Sequence, residues 1–442
     1  MESAGGAGVL WRRALESFWF YPAVLCVAAV VLAEALVVVD RRLSPATVEG
    51  VGLLSALGVS GSRALLGAIA TSVLTVAGTT FSITISVLAT TTSTYGPRLV
   101  RNFMTDRGNQ LVLGVFTASF LYALIVLRSV RSEDDDGSAF VPTVAVNVAM
   151  VLAVLCVGVL VYFIHHIADS VQVSTLQRRL REELDAVVEL LAPARPPAGT
   201  AGGPATDPAA LPPALDEVAA PTTGYVQWVD LDELVDAARR AHGVGEALVR
   251  PGDHVVAGEP VLRLRGRSAW DPDPAQDARR AIVLGTERTP HQDLAFAVQQ
   301  LTEMAVRALS PGTNDPYTAA YAFDALADGL VRLVERDPAA PGRTDEDGTL
   351  RAVVPWPGPE EHVGAVLLAV RTYALASPVA LASAAQLVER LAHADARPRP
   401  RARLRAEVRA WRDVMPGSGL PPHDRAPVEQ RLDAVLATLR DA

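Results

Sequence analysis

The stretch LLGAIATSVLTVAGTTFSITISVLATTTSTY, Leu65 to Tyr95, carries no charged side chain. An uncharged apolar run of this length reads as a membrane span, and that reading decides the fold class. As a helix it is roughly 45 Å long, against a hydrocarbon core of about 30 Å. It therefore tilts, kinks near Gly78 or projects beyond the membrane. Thr71, Thr75, Thr79, Ser82, Ser86, Thr90 and Ser93 follow one another at steps of three or four, which puts a hydroxyl stripe on one helical face. Leu66, Val73, Leu74, Val76, Phe81, Ile83, Ile85 and Leu88 supply the opposite side. Two readings stay open. Small polar residues allow close helix packing, each hydroxyl bonding the carbonyl one turn back, with Gly67 and Thr71 in small-xxx-small spacing. The same oxygens can line a wet path, replacing part of a hydration shell.

Working outward, Trp11, Arg12, Arg13, Trp19 and Tyr21 form a basic and aromatic approach to an interface, and residues 22–39 are apolar except for Glu34. This run exceeds the apolar core of a signal peptide, and VVVDRR is a poor cleavage site. Glu34 is a candidate intramembrane acid that reaches the interface or bonds within the bundle. Further spans fit residues 111–127 and 141–164, and PRLVRNFMTDR, starting at Pro97, reads as a short interfacial helix. Arginines near the spans favour one side: Arg12, Arg13, Arg98, Arg101, Arg107, Arg178, Arg179 and Arg181 against Arg41, Arg42, Arg63, Arg128 and Arg131. The positive-inside rule then places both termini in the cytoplasm and the EDDD loop outside. His165 and Asp169 stand one turn apart, as a weak metal pair or proton relay.

Composition narrows the chemistry. The chain holds 40 basic residues, all arginine, and its net charge is −9. A chain without lysine forms no lysine Schiff base, carries no phosphate-loop lysine and tethers no lysine-linked cofactor. No basic block with interleaved aromatics points to nucleic acid. Cys26 and Cys156 lie inside apolar spans as structural thiols. No nucleophile elbow, metal triad or glycine-rich phosphate loop is present, so neither an enzyme nor a cofactor is expected.

After a polar connecting helix at 171–191, residues 192–222 are rich in Ala and Pro and read as a linker. Residues 223–285 alternate short strands with turns at Pro251 to Asp253 and at Gly258. They resemble the small β-sandwich of biotinyl and lipoyl carrier modules, but as a structural module only. In TERTPHQDLAFAVQQLTEMAVRALSPGTNDPYTA, Thr289 and Gln292 read as a capping box with Pro290 at the first helical position, and Asp315 with Pro316 opens the next helix. Arg288, Asp293, Arg307 and Asn314 have no such local explanation. They converge if the segment before the first helix packs beside the turn after it, as a buried network or as a site for a small anion. Beyond Glu335 come a strand near 350–356 and helices near 377–393, 400–414 and 424–440, with Arg399, Arg401, Arg403 and Arg405 as a solvated basic face.

Two stretches, TFSITISVLATTTSTYGPRLVRNFMTDRGNQLVLGVFTASF and the TERTPHQD to NDPYTA run, resemble the bacterial membrane proteins catalogued as domain of unknown function 2254. The resemblance implies an N-terminal helical membrane region and a cytoplasmic C-terminal region, and no activity. The expectation is thus an α-helical membrane protein with four transmembrane helices in residues 1–170. Its cytoplasmic α+β region contains a small β-sandwich-like module and, over 286–442, a mainly helical part. In function it is expected to be a channel- or transporter-like homo-oligomer of the bacterial plasma membrane, its second helix lined by Ser and Thr, with the lipid bilayer as partner and an ion or small anionic ligand. The alternative is a membrane-anchored sensor or scaffold.

Overall fold

The computed structural model describes residues 19–42, 57–95, 106–132, 139–170, 172–194, 200–201, 210–336, 340–394 and 397–439. The chain divides into two compact units, residues 1–175 and 176–442.

Among the described residues of the first unit, four helices are long and apolar enough to cross a membrane. They are α1 (Phe20–Arg42), α2 (Val59–Tyr95), α3 (Arg107–Ser129) and α4 (Thr143–Ser170). Helix α3 is the most enclosed and packs against the other three. Small residues set the spacing. A Cβ at Gly114 would stand 2.6 Å from Leu25 Cδ1 and 3.2 Å from Pro22 Cα, so glycine is what lets α1 approach α3. The shared core is Ala33 and Val37 of α1, Leu66, Ala70 and Val73 of α2, Phe116 and Tyr122 of α3, and Ala145, Ala149 and Phe163 of α4. Val27, Val31, Val151, Val154, Val157 and Ile164 point outward, as side chains facing hydrocarbon do.

Polar side chains tie the helix ends. Asp40 at the end of α1 accepts the amide hydrogens of Val144 and Ala145, each at 3.0 Å, and so supplies acceptors for the free N–H groups that open α4. Tyr122 donates to the Ala145 carbonyl at 2.9 Å. Helix α2 begins six residues before the expected span because Arg63 is accommodated, its Nη2 donating to the Val130 carbonyl at 3.0 Å. The expected interfacial helix falls, up to residue 105, outside the described residues. Asp106 itself is the N-cap of α3, accepting from the amides of Gly108 and Asn109.

The second unit includes most of α5 (Val173–Leu191), a β-rich part and a helical part. Strands β1 (Thr200–Ala201), β2 (Ala214–Ala219), β4 (Val244–Ala247), β6 (Pro260–Arg265), β8 (Gly342–Thr344) and β9 (Leu350–Val353) form one sheet. Its order is β1-β8-β9-β4-β6-β2. A second sheet, β5-β3-β7, joins β3 (Gly224–Val229), β5 (His254–Val255) and β7 (Ile282–Gly285). Both sheets, with helices α6 (Leu231–Arg240) and α7 (Pro272–Arg280), enclose one core around Val226, Val229, Leu234, Leu262 and Leu264. This corrects the expected boundaries of the β-rich module. Residues 214–219, read as linker, are strand β2. Buried β4 also needs a partner on each edge, and its second partner, parallel β9, comes from beyond residue 285.

The helical part comprises α8 (Leu294–Ala308), α9 (Pro316–Glu335), α10 (Pro359–Tyr373), α11 (Pro378–His393), α12 (Pro398–Val414) and α13 (Pro422–Thr438). Five of these six open on proline, whose missing N–H costs nothing in a first turn. Helix α5 lies along α9. Arg181 pairs with Asp328 at 2.8 Å, Asp185 with Arg332, and Glu189 with Arg336 at 2.6 Å. The sequence offset is the same in all three pairs, so the two helices run parallel. Hydrogen bonding from Arg336 holds the Glu189 carboxyl below its ordinary range. Beneath this ladder Leu184 fills the place of the missing side chain at Gly329.

Candidate functional site

Helix α2 presents three faces. Leu66, Ile69, Ala70, Val73 and Ala77 turn into the bundle, joined by the buried hydroxyls Thr80 and Thr84. Leu74, Phe81 and Ile85 are exposed on one flank of the stripe and Ile83 on the other, apolar positions that can face lipid. Thr71, Thr75, Thr79, Ser82, Ser86 and Thr90 form the third face, also exposed. The side chain of Ser93 lies outside the described residues. Among the described residues the stripe therefore points away from the core of its own bundle.

Three of its donors are committed. Thr75 donates to the Thr71 carbonyl at 2.8 Å, Thr79 to Thr75 at 3.0 Å and Thr90 to Ser86 at 3.0 Å. Each hydroxyl proton so used leaves oxygen lone pairs facing outward. An open groove of about 300 Å³ along α2, α3 and α4 is lined by Ala68, Ile69, Val73, Phe116, Ala153 and Leu160 among others, with Ser72 and Cys156 as its few polar groups. Cys156 donates to Ser119 Oγ at 3.3 Å.

Glu34 is tied by an ion pair to Arg128 Nη2 at 2.6 Å, which joins α1 to α3. The expected His165 and Asp169 pair is not the one that forms. His166 instead reaches the N-cap carboxylate of Asp106 at 3.0 Å and stacks on Tyr162, ring centroids 5.4 Å apart. Gly108 makes room, since a Cβ there would stand 2.7 Å from His166 Nε2. Among the described residues no group of three His, Cys, Asp or Glu is placed to hold a metal ion.

In the second unit the expected convergence does not occur. Arg288 and Asp293 stand at the start of α8, while Arg307 ends it and Asn314 lies in the turn beyond, about 20 Å further along the helix axis. Arg288 grips Asp293 through two bonds, of 2.7 and 2.9 Å, donates to Gln299 at 3.0 Å and lies over the Phe296 ring. Arg307 pairs with Glu303 at 2.9 Å. Asn314 adopts φ 46°, the left-handed conformation that the turn into α9 requires and that asparagine tolerates. Asp315 caps α9, accepting from the Thr318 hydroxyl at 2.6 Å and its amide at 3.0 Å, and these bonds lower its carboxyl pKa.

The capping box is also corrected. Asp293, not Thr289, is the N-cap of α8 and accepts from the Phe296 amide. Gln292 is drawn instead to strand β3, where it bonds both backbone groups of Val229. A buried strand end with two backbone groups to satisfy outcompetes a local cap. Sequence reasoning also missed Asp40, Asp106 and His362. Asp40 and Asp106 each directly precede or sit near an arginine, which masked them as interfacial charges. His362 had no signal beyond its place in the first turn of α10.

Comparison with known proteins now places the chain. The family model described as "Predicted membrane protein (DUF2254)" matches residues 15–390. The chain is similar to uncharacterised protein Rv1290c of Mycobacterium tuberculosis (strain ATCC 25618 / H37Rv), 30% identical over 353 residues that cover 78% of this chain and 67% of the relative. Uncharacterised protein Mb1321c of Mycobacterium bovis (strain ATCC BAA-935 / AF2122/97) is similar with the same identity and coverage. No solved structure matches. The chain, with its four apolar helices, mixed α/β region and helical end, belongs to the family of predicted membrane proteins known as domain of unknown function 2254.

Proposed function

We propose that the protein is a channel- or transporter-like oligomer of the bacterial plasma membrane, in which the α2 helices of several copies face one another and their hydroxyl stripes line a path for cations. One observation carries this reading: the stripe is exposed on the outside of its own bundle. A polar helix face at membrane depth gains from protein beside it, and a second copy of the same face supplies such a neighbour.

Cations fit the chemistry better than anions. With Thr75, Thr79 and Thr90 donating to their own helix, the face offers oxygen lone pairs, which coordinate cations as backbone carbonyls do in selective pores. The arginine distribution along the chain favours cytoplasmic termini and a cytoplasmic second unit, a suitable position for a regulator of the path.

Flux into liposomes from purified protein tests the proposal, with Thr79→Val and Ser86→Val combined as the comparison. Both positions are exposed, so folding is expected to survive. Monovalent cation flux that falls at least tenfold in the double variant supports the path. Folded wild-type protein that passes no cation, or equal flux in the variant, overturns it.

A further inference from the structure

Helix α12 carries six arginines against two acids, Glu407 and Asp413, in a chain whose net charge is −9. Its inner side is fixed. Leu404, Val408 and Trp411 are buried, and Trp411 donates to the Leu367 carbonyl of α10 at 2.9 Å. The outer side is arginine spaced by alanine: Arg399, Ala402, Arg403, Ala406 and Arg409 are exposed, and Arg401 and Arg405 are half-buried. Between Arg399 and Asp413 no aromatic or large aliphatic side chain is exposed.

Local rules oppose this arrangement. The N-terminal end of a helix favours acids, yet the first turn of α12 holds Arg399 and Arg401 and no acid. Arg401, Arg405 and Arg409 follow at steps of four, where like charges stand side by side and repel. Neighbouring acids answer only part of the charge. Glu407 is shared by Arg403 at 2.9 Å and Arg371 of α10 at 3.6 Å, and Arg412 holds Glu429 at 3.1 Å and Asp433 at 2.9 Å. Among the described residues no acid lies within ion-pair distance of Arg399, Arg401, Arg405 or Arg409. The Nε atoms of Arg401 and Arg405 are buried without a hydrogen-bond partner, so their stems are packed while their charge stays unanswered. A stable helix that breaks these rules points to a partner outside the chain.

We propose that the arginine face of α12 docks on the anionic headgroups of the bilayer in which the protein resides. Charge complementarity selects a polyanion, and guanidinium forks match phosphate oxygens. The bilayer is the polyanion nearest at hand. Helix α4 ends at Ser170 and α5, most of which belongs to the second unit, begins at Val173, so headgroup phosphates are present at high effective concentration. A nucleic-acid surface would set aromatic side chains among the basic ones for stacking, and this face has none. The contact stays at headgroup level, because a face of arginine and alanine has no Trp, Phe or Leu to bury among acyl chains. Each basic residue near an anionic surface shifts such a docking equilibrium about fivefold.

The test places the full chain in nanodiscs of phosphatidylcholine, alone or with about 30% phosphatidylglycerol, each doped with a lipid that carries a nitroxide on its headgroup. A fluorophore on Ala402→Cys, exposed between the arginines, reports contact by quenching, and protein without that substitution gives the blank for Cys26 and Cys156. Quenching is expected to be at least about twofold stronger in anionic discs than in neutral ones, and about 0.5 M salt should remove the difference by screening. Combining Arg401→Gln, Arg405→Gln and Arg409→Gln should weaken docking roughly a hundredfold and remove it as well, whereas Arg401→Lys, Arg405→Lys and Arg409→Lys together should keep it. If the glutamine variant does not fold, Arg409→Gln alone, at an exposed position, and the salt series still decide. Equal quenching in neutral and anionic discs, quenching that salt leaves unchanged, or quenching unaltered by the glutamine substitutions overturns the proposal. Absence of quenching in anionic discs also overturns it, and leaves the face to an acidic protein partner.

Discussion

The carboxamide of Gln292 closes on Val229 from both sides, Oε1 accepting from the backbone N–H at 2.7 Å and Nε2 donating to the carbonyl at 3.2 Å. It extends the pairing of β3 by one residue-like contact and fixes the approach to α8. Gln292→Ala leaves two buried backbone groups unpaired and should cost about 2–5 kcal/mol. Gln292→Glu, which cannot donate when ionised, should cost nearly as much. Urea unfolding in detergent, followed by tryptophan fluorescence, measures both.

Leu184 and Gly329 form a second tight pair. A Cβ at Gly329 would lie 2.6 Å from Leu184 Cδ2, and Leu184 is fully buried, so it has little room to retreat. Gly329→Ala is expected to destabilise by about 1–3 kcal/mol and Leu184→Ala by about 2–5 kcal/mol. The double variant should be less damaged than the sum, since the new methyl fills part of the cavity. A double-mutant cycle in urea reads this coupling.

Asp40 predicts the behaviour of the membrane bundle. Its carboxylate is the acceptor for two amides at the start of α4, and it is 8% exposed. Asp40→Ala should lower stability by about 1–3 kcal/mol, while Asp40→Asn, which retains one acceptor, should lose less. Thermal unfolding in detergent, read by helical circular dichroism, ranks the two.

His362 gives the second unit an acid limit. Its pKa falls from the ordinary 6.5 to about 4, with desolvation as the main cause. Because the folded value is depressed, the unfolded chain binds the proton more readily. Stability is therefore complete above about pH 6.5 and declines as pH falls toward 4. The full loss is about 3 kcal/mol from this group. Wild type should show this decline in unfolding midpoint between pH 6.5 and 4, and His362→Gln should flatten it.

The parts legible in the sequence are those governed by local rules. The four apolar runs, the prolines that open α9 and α11, and the Asp315 cap follow from hydropathy and capping within a few residues. The helical spacing of the α2 hydroxyls was also legible, but which way that face turns was not, because it depends on Leu66, Ala70 and Val73 finding Phe116 and its neighbours. Long-range pairings stayed hidden for the same reason. Nothing near Gln292 announces Val229, and nothing in residues 350–353 announces β4. Arg288 and Arg307 looked alike in sequence, yet a helix of fifteen residues keeps them apart and gives each its own carboxylate.

The constant offset between α5 and α9 also has a meaning for biosynthesis. Arg181 leaves the ribosome 147 residues before its partner Asp328 is made, and the next two pairs wait equally long. At about 5–20 residues per second the delay is roughly 7–30 s. For that time the stripe of Leu180, Leu184, Val187 and Leu191, buried in the finished protein, has no partner in α9. The newborn chain is thus most exposed to aggregation just after its membrane helices are complete, and a chaperone that shields this segment has a defined interval in which to act.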